Sequence, residues 1–151
     1  MIQDQNIMDL CEYRFQQANE SVSEAELLLN SGHYRGAINR AYYAMFYSLQ
    51  VLVVTDMVNV SKHSGVITYF DKNFIKPGII DKKFSKWLHR LFDLRQDADY
   101  GDMFMPSEEQ CREAVNQSKD FVKEMRHYFE NLKTNRVPIP ANLACRFKLS
   151  S

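Results

Sequence analysis

Residues 111–132 read CREAVNQSKDFVKEMRHYFENL. Cys111, Val115, Ser118, Val122, Met125, Phe129 and Leu132 recur at steps of 4, 3, 4, 3, 4 and 3. That spacing keeps one stripe of a helix turned toward a core. Just before it, Pro106-Ser107-Glu108-Glu109 carries a helix start. Ser107 is the expected cap, and the two acids sit where the helix dipole favours them. The period is lost from Lys133 onward.

Working outward, the same rhythm returns near the N-terminus. Cys11, Phe15, Ala18, Val22, Ala25 and Leu29 step by 4, 3, 4, 3 and 4, which predicts a helix from about Met8 to Asn30 with Gly32 as its left-handed cap. A second helix is expected from Tyr34 to Asp56. It is apolar nearly all round from Ala41, as a central buried helix or one serving an interface would be. Ser61 or Ser64 is placed to cap a short helix over Val66–Asn73, ended by Lys76-Pro77-Gly78. Asp81 is placed to cap a further helix from Lys82 to about Ala98, with Phe84, Leu88 and Leu91 on its inner face. The expected fold is all-α: an antiparallel up-and-down four-helix bundle plus a short fifth helix. Residues 1–133 form that domain, and 134–151, with Pro138 and Pro140, a flexible or docking tail.

Composition agrees and excludes several classes. Gly (5) and Pro (4) are too few for a turn-dense β fold. Nineteen Lys and Arg balance nineteen Asp and Glu, so a global electrostatic grip on nucleic acid is not expected; a zero sum does not exclude a local basic patch. The start MIQDQNIMDL lacks the charge and apolar run of a secretory signal, and no stretch is long and apolar enough to span a membrane. Cys11, Cys111 and Cys145 have neither disulfide nor zinc spacing. The expectation is a cytoplasmic protein with free thiols, no metal and no cofactor.

Three spots depart from what a plain bundle needs. Arg95 is the next step of the Phe84, Leu88, Leu91 stripe, so a permanent cation faces the core side, with Asp99 one turn on to pair with it. This is either a structural ion pair or part of a cleft. Ser61-Lys62-His63-Ser64-Gly65 offers several donors to an anion, or is simply an exposed turn. Arg40 and Tyr43 share a face with Tyr47, suited to stacking or to plain packing.

Taken together and in order, these spots resemble the HEPN family of nucleotide-binding helical domains. The matching pieces are Ala37-x-x-Arg40-Ala41-Tyr42-Tyr43-Ala44-Met45-Phe46, then Ser61-Lys62-His63-Ser64-Gly65-Val66 with Phe70, then Arg95-x-x-Ala98-Asp99-Tyr100. The resemblance spans roughly Met8 to Leu132. It implies a homodimer with a cleft at the interface, and often a small nucleotidyltransferase as partner. It also implies, for many members, metal-independent endoribonuclease chemistry through an Arg, four to six residues, then a His.

The chain departs from that signature. None of its nine Arg has a His five to seven positions downstream; after Arg95 the place is held by Tyr100. A phenol, with its ordinary pKa near 10, is a poor base at neutral pH, but it can donate a hydrogen bond, stack a base or accept a nucleotide on its hydroxyl. His63 can supply an imidazole from the other loop. Three functions therefore stay open. The first is a nucleotide- or RNA-binding protein of the toxin–antitoxin type, partnered with a nucleotidyltransferase. The second is an active ribonuclease toxin using Arg95 with His63 or Tyr100. The third is a non-catalytic dimeric interaction module. The candidate catalytic residues are Arg95, Tyr100 and His63; the candidate ligand-binding residues are Lys62, Arg40, Tyr43, Ser61 and Asp99.

Overall fold

The computed structural model describes residues 5–56 and 62–134. They form α1 (Gln5–Asn30), α2 (Tyr34–Asp56), α3 (His63–Phe70), α4 (Lys82–Tyr100) and α5 (Glu108–Lys133). Among the described residues there is no strand. The tail from 135 and the proposed site residue Ser61 lie outside the described residues.

The apolar stripes meet as their spacing requires. On α5, all seven stripe positions from Cys111 to Leu132 are buried. On α1, Cys11, Phe15, Ala18, Ala25 and Leu29 are buried, with Ser21 taking the inward place in the turn of Val22, which is only partly covered. The apolar girth of α2 has a direct cause: this helix packs against α1, α3, α4 and α5 at once, so it has little face left for water. Aromatic pairs tie the layers together, Phe15 to Phe129 at 5.6 Å, and Phe121 to both Phe70 and Phe84 at about 6 Å. Burial pushes the thiol pKa of Cys11 up to about 12 and that of Cys111 up to about 11. Both therefore stay protonated and serve as packing.

The connections are set by short-range chemistry. Gly32 has φ +78° and closes α1, a conformation costly for a residue with a Cβ. Asp81 Oδ1 accepts from the Lys83 N–H at 2.8 Å and caps α4. At α5, Ser107 Oγ accepts from the Gln110 N–H while the Gln110 side chain accepts from the Ser107 N–H, a reciprocal capping box.

Three boundaries differ from expectation. The short helix α3 begins at His63 rather than Val66, and its cap residue is Lys62, with no side-chain cap from Ser64. After Phe70 the chain widens into one π-helical turn, Asp71–Ile75, which keeps Phe74 fully buried against Tyr128 at 5.6 Å. α4 continues to Tyr100, two residues past the expected end, because the Gly101 N–H still bonds the Asp97 carbonyl. Gly101 is required there: a Cβ on it would come 2.5 Å from the Asp97 oxygen.

Candidate functional site

The site is built around Arg95. Its position on α4, one turn beyond Leu91, points it inward, and its side chain is 11% exposed. A buried guanidinium needs partners, and α2 supplies them. Arg95 Nη2 donates to the Tyr43 hydroxyl at 3.2 Å. The guanidinium carbon lies 5.3 Å from the Tyr42 ring, 5.4 Å from Tyr43 and 5.8 Å from Tyr100, within cation–π range of all three. Its Nε is 2.9 Å from Asp99 Oδ2, one turn on. That N–H is not aimed along the line of contact, so the pair is held by charge rather than by an aligned hydrogen bond.

Asp99 is shared. Asn39 Nδ2 donates to the same Oδ2 at 3.1 Å. The Asn39 carbonyl oxygen accepts from Arg40 Nε and Nη2 at 3.2 and 3.0 Å. Arg40 in turn lies 4.9 Å over the Tyr43 ring and 3.7 Å from Glu24. Asn39 thus links Asp99 to Arg40 by hydrogen bonds, beside Tyr43, which both guanidiniums touch. Sequence reasoning missed it, because it fell among unassigned positions just before Arg40; its signal was an amide at four-residue spacing from Tyr43, on the helix face that α4 covers.

His63 enters from the start of α3. Its ring stacks on Phe46 at 4.0 Å and on Tyr42 at 5.7 Å, and meets Tyr43 edge-on at 5.7 Å. Its Nδ1 is 2.9 Å from the Tyr42 hydroxyl. Tyr42 is fully buried, and burial holds its phenol well above the ordinary range, so it keeps its proton. That proton has His63 Nδ1 as its acceptor. Burial first, then the Arg95 charge, hold the imidazole below its ordinary pKa. The consistent arrangement is a neutral His63 that accepts at Nδ1 and carries its own proton on Nε2. In that tautomer the Nε2 edge donates a hydrogen bond.

Arg95, Asp99, Tyr43, Arg40, His63 and Tyr100 therefore gather within one chain. Lys62 caps α3 beside His63 and is exposed, with no ion pair among the described residues. Beside the cluster runs an open groove of about 590 Å³, lined by Leu28, Arg35, Asn39, Arg40, Asp99 and Tyr100. Tyr100 is 72% exposed and presents a ring to it. Arg35 fixes the far wall through two hydrogen bonds to the Phe104 carbonyl, at 2.7 and 2.9 Å. A larger concavity of about 940 Å³ lies elsewhere, along α1 and Arg126. Its lining includes Asp9, Glu12, Glu20 and Glu24, so it repels the anions that the arginines attract. No group of His, Cys, Asp and Glu suited to a metal occurs among the described residues.

Residues 11–128 match the HEPN domain family. The chain belongs to the HEPN family. A "UPF0332 protein" of Thermotoga maritima is 33% identical over 82% of this chain and 94% of its own length. Two proteins of Methanocaldococcus jannaschii carry the name "putative toxin". One is 32% identical over 75% of this chain and 77% of its own, the other 35% identical over 70% and 78%. The HEPN match covers α2, α3 and α4 whole, and so every described residue of the Arg95 cluster.

Proposed function

We propose that this HEPN chain is a toxin-type protein that binds a nucleotide or an RNA segment at the Arg95 cluster. It works in the cytoplasm as a homodimer, as the partner of a nucleotidyltransferase. The observation that carries the binding reading is the combination of Arg95 ringed by three tyrosines with a neutral His63 on the same aromatic box. Arg95 supplies charge for a phosphate, the His63 Nε2–H a neutral donor, and exposed Tyr100 a face on which a base can stack. The toxin-type role is supported by the names of the Methanocaldococcus relatives. The dimer and the nucleotidyltransferase follow from the family resemblance. No helix among the described residues is long and apolar enough to cross a membrane, which is compatible with a cytoplasmic site of action.

The test is a binding titration with mononucleotides and short RNAs on the wild type and Arg95→Ala. Loss of binding in the variant is expected; equal binding by both, or none by either, sinks the proposal.

A second reading, metal-independent RNA cleavage, is favoured by the closeness of His63 to Arg95. Cleavage would need an imidazole nitrogen to take the ribose 2′-OH proton while Arg95 balances charge on the phosphorane. The Tyr42 bond argues against it by leaving the proton on Nε2. Cleavage by the wild type, absent in His63→Ala, would make this reading the better one.

A further inference from the structure

The zero net charge conceals a strong separation. Residues 62–90 carry seven Lys and Arg against two Asp, while α1 carries five carboxylates against one Arg. The two sides are treated differently by the fold. Three of the α1 carboxylates are paired within the chain: Glu12 with Arg126, Glu24 with Arg40 and Glu26 with Lys119. By contrast Lys62, Lys72, Lys76, Lys82, Lys83 and Lys86 are all exposed, and none makes an ion pair among the described residues.

The two acids within this stretch are occupied. Asp71 accepts from Ser85 Oγ at 2.6 Å and pairs with His89 at 2.6 Å. Asp81 caps the N-terminus of α4. The Asp71 contacts also hold the π-helical turn, which carries Lys72 and Lys76, alongside the start of α4, which carries Lys82 and Lys86 one turn apart. Arg90 is taken by Glu113 at 2.6 Å, and Asp93 follows, so the patch ends there. Half-buried Trp87 sits within it, with Lys83 Nζ 5.6 Å from its ring. At its other end Lys62 adjoins His63 and the Arg95 cluster.

We propose that this lysine shoulder is the track for the backbone of an RNA strand, leading it to the Arg95 cluster. The proposal rests on the nucleotide- or RNA-binding reading above and extends it from one nucleotide to a polymer. An extended row of unpaired lysines with an aromatic ring among them suits a flexible polyphosphate with stacking bases. The acidic α1 of a second copy is a poorer occupant. Most of its charge is already paired, three of its five carboxylates being held by Arg126, Arg40 and Lys119.

The test uses Lys72→Ala/Lys82→Ala/Lys86→Ala, three exposed changes to a good helix former that leave the aromatic contacts of Lys83 intact. Binding is measured across salt for an unstructured RNA of about 20 nucleotides, a dinucleotide and a polyglutamate of similar length. Three lost phosphate contacts lower the slope of log K against log salt by about 2, which is about a hundredfold in affinity near 0.1 M salt. The long RNA is expected to weaken on that scale while the dinucleotide is unaffected. Unchanged RNA affinity and slope in the triple variant, with loss in Arg95→Ala, overturns the shoulder and leaves the cluster standing. If the wild type binds neither RNA nor dinucleotide, both proposals fall. Polyglutamate bound as tightly as RNA overturns the RNA assignment in favour of an acidic protein.

Discussion

Tyr42→Phe removes a single oxygen from the centre of the site and leaves the ring where it is. The wild-type hydroxyl is fully buried and has one hydrogen bond, the 2.9 Å contact to His63 Nδ1. Its stacking on Phe46 and its edge contact with Phe92 involve the ring alone and survive the change. The cost is therefore one neutral hydrogen bond, about 1 kcal/mol, or a fall in Tm of about 2–4 °C for a chain of this size. The larger effect is on His63. With the phenol donor gone, nothing pins the imidazole proton to Nε2, and the neutral form loses a stabilising partner. Losing that partner should raise its pKa, while burial and the Arg95 charge, which both remain, still hold it below the ordinary histidine value. Long-range proton–nitrogen NMR of the imidazole reads both tautomer and titration. The wild type should show the Nε2–H tautomer and titrate below an ordinary histidine. The variant should show mixed tautomers and titrate higher. A wild-type His63 protonated on Nδ1, or one whose titration is unmoved by the variant, would falsify the assignment of His63 as a donor. The same shift fixes a pH trend. Because the folded pKa is depressed, the unfolded chain takes up a proton that the folded one refuses. The His63 contribution should thus lower stability as pH falls through the ordinary histidine value of about 6.5, and level off below the folded pKa.

Arg95→Ala should cost about 1–3 kcal/mol, below the range for a fully buried pair, because Asp99 keeps its Asn39 donor and opens on the groove. A thermal melt showing a loss above about 4 kcal/mol, with nucleotide binding unaffected, would make Arg95 a structural ion-pair residue. Gly101→Ala drives a Cβ into the Asp97 carbonyl and should destabilise by about 1–3 kcal/mol in urea unfolding; an unchanged midpoint would mean that the end of α4 is not held as described. Phe121→Ala empties the place where α5 meets Phe70 and Phe84 and should cost about 3–5 kcal/mol. A loss under about 1 kcal/mol would mean that these rings are not a shared anchor.

The bundle was legible because its stripes are regular. The steps from Cys111 to Leu132 mapped onto buried positions one for one, and the stripe on α4 correctly turned Arg95 inward. Caps at Ser107 and Asp81 were legible for the same local reason, since a cap and its N–H lie within three residues. The start of α3 was not: Lys62 caps it through backbone conformation alone, with φ −104° and ψ 144°, and residue type carries no sign of that. The π-helical turn at Asp71 was hidden too, because the demand it meets, keeping Phe74 inside, comes from Tyr128 far along the chain. At the site, Arg95 announced itself as a cation on the inner stripe, Asp99 as its partner one turn on, and Tyr100 as the residue in the place of the family's histidine. Asn39 did not, because an amide on a partly covered face is ordinary until a carboxylate from another helix reaches it. The bond between Tyr42 and His63 joins residues whose approach only tertiary packing decides.

The order of the helices also sets when the site comes into being. Asn39, Arg40, Tyr42 and Tyr43 ride on α2, His63 on α3, and Arg95 and Tyr100 on α4, yet α5 supplies the Phe121 that holds Phe70 and Phe84 in place. A chain emerging from the ribosome has every one of those side chains before it has α5. Until then the core around Phe70 and Phe84 lacks the ring that joins them. That core closes when the last helix docks, as one step rather than by degrees. Truncation within α5 should therefore cost the cooperative fold of the whole cluster, read as loss of a single thermal transition.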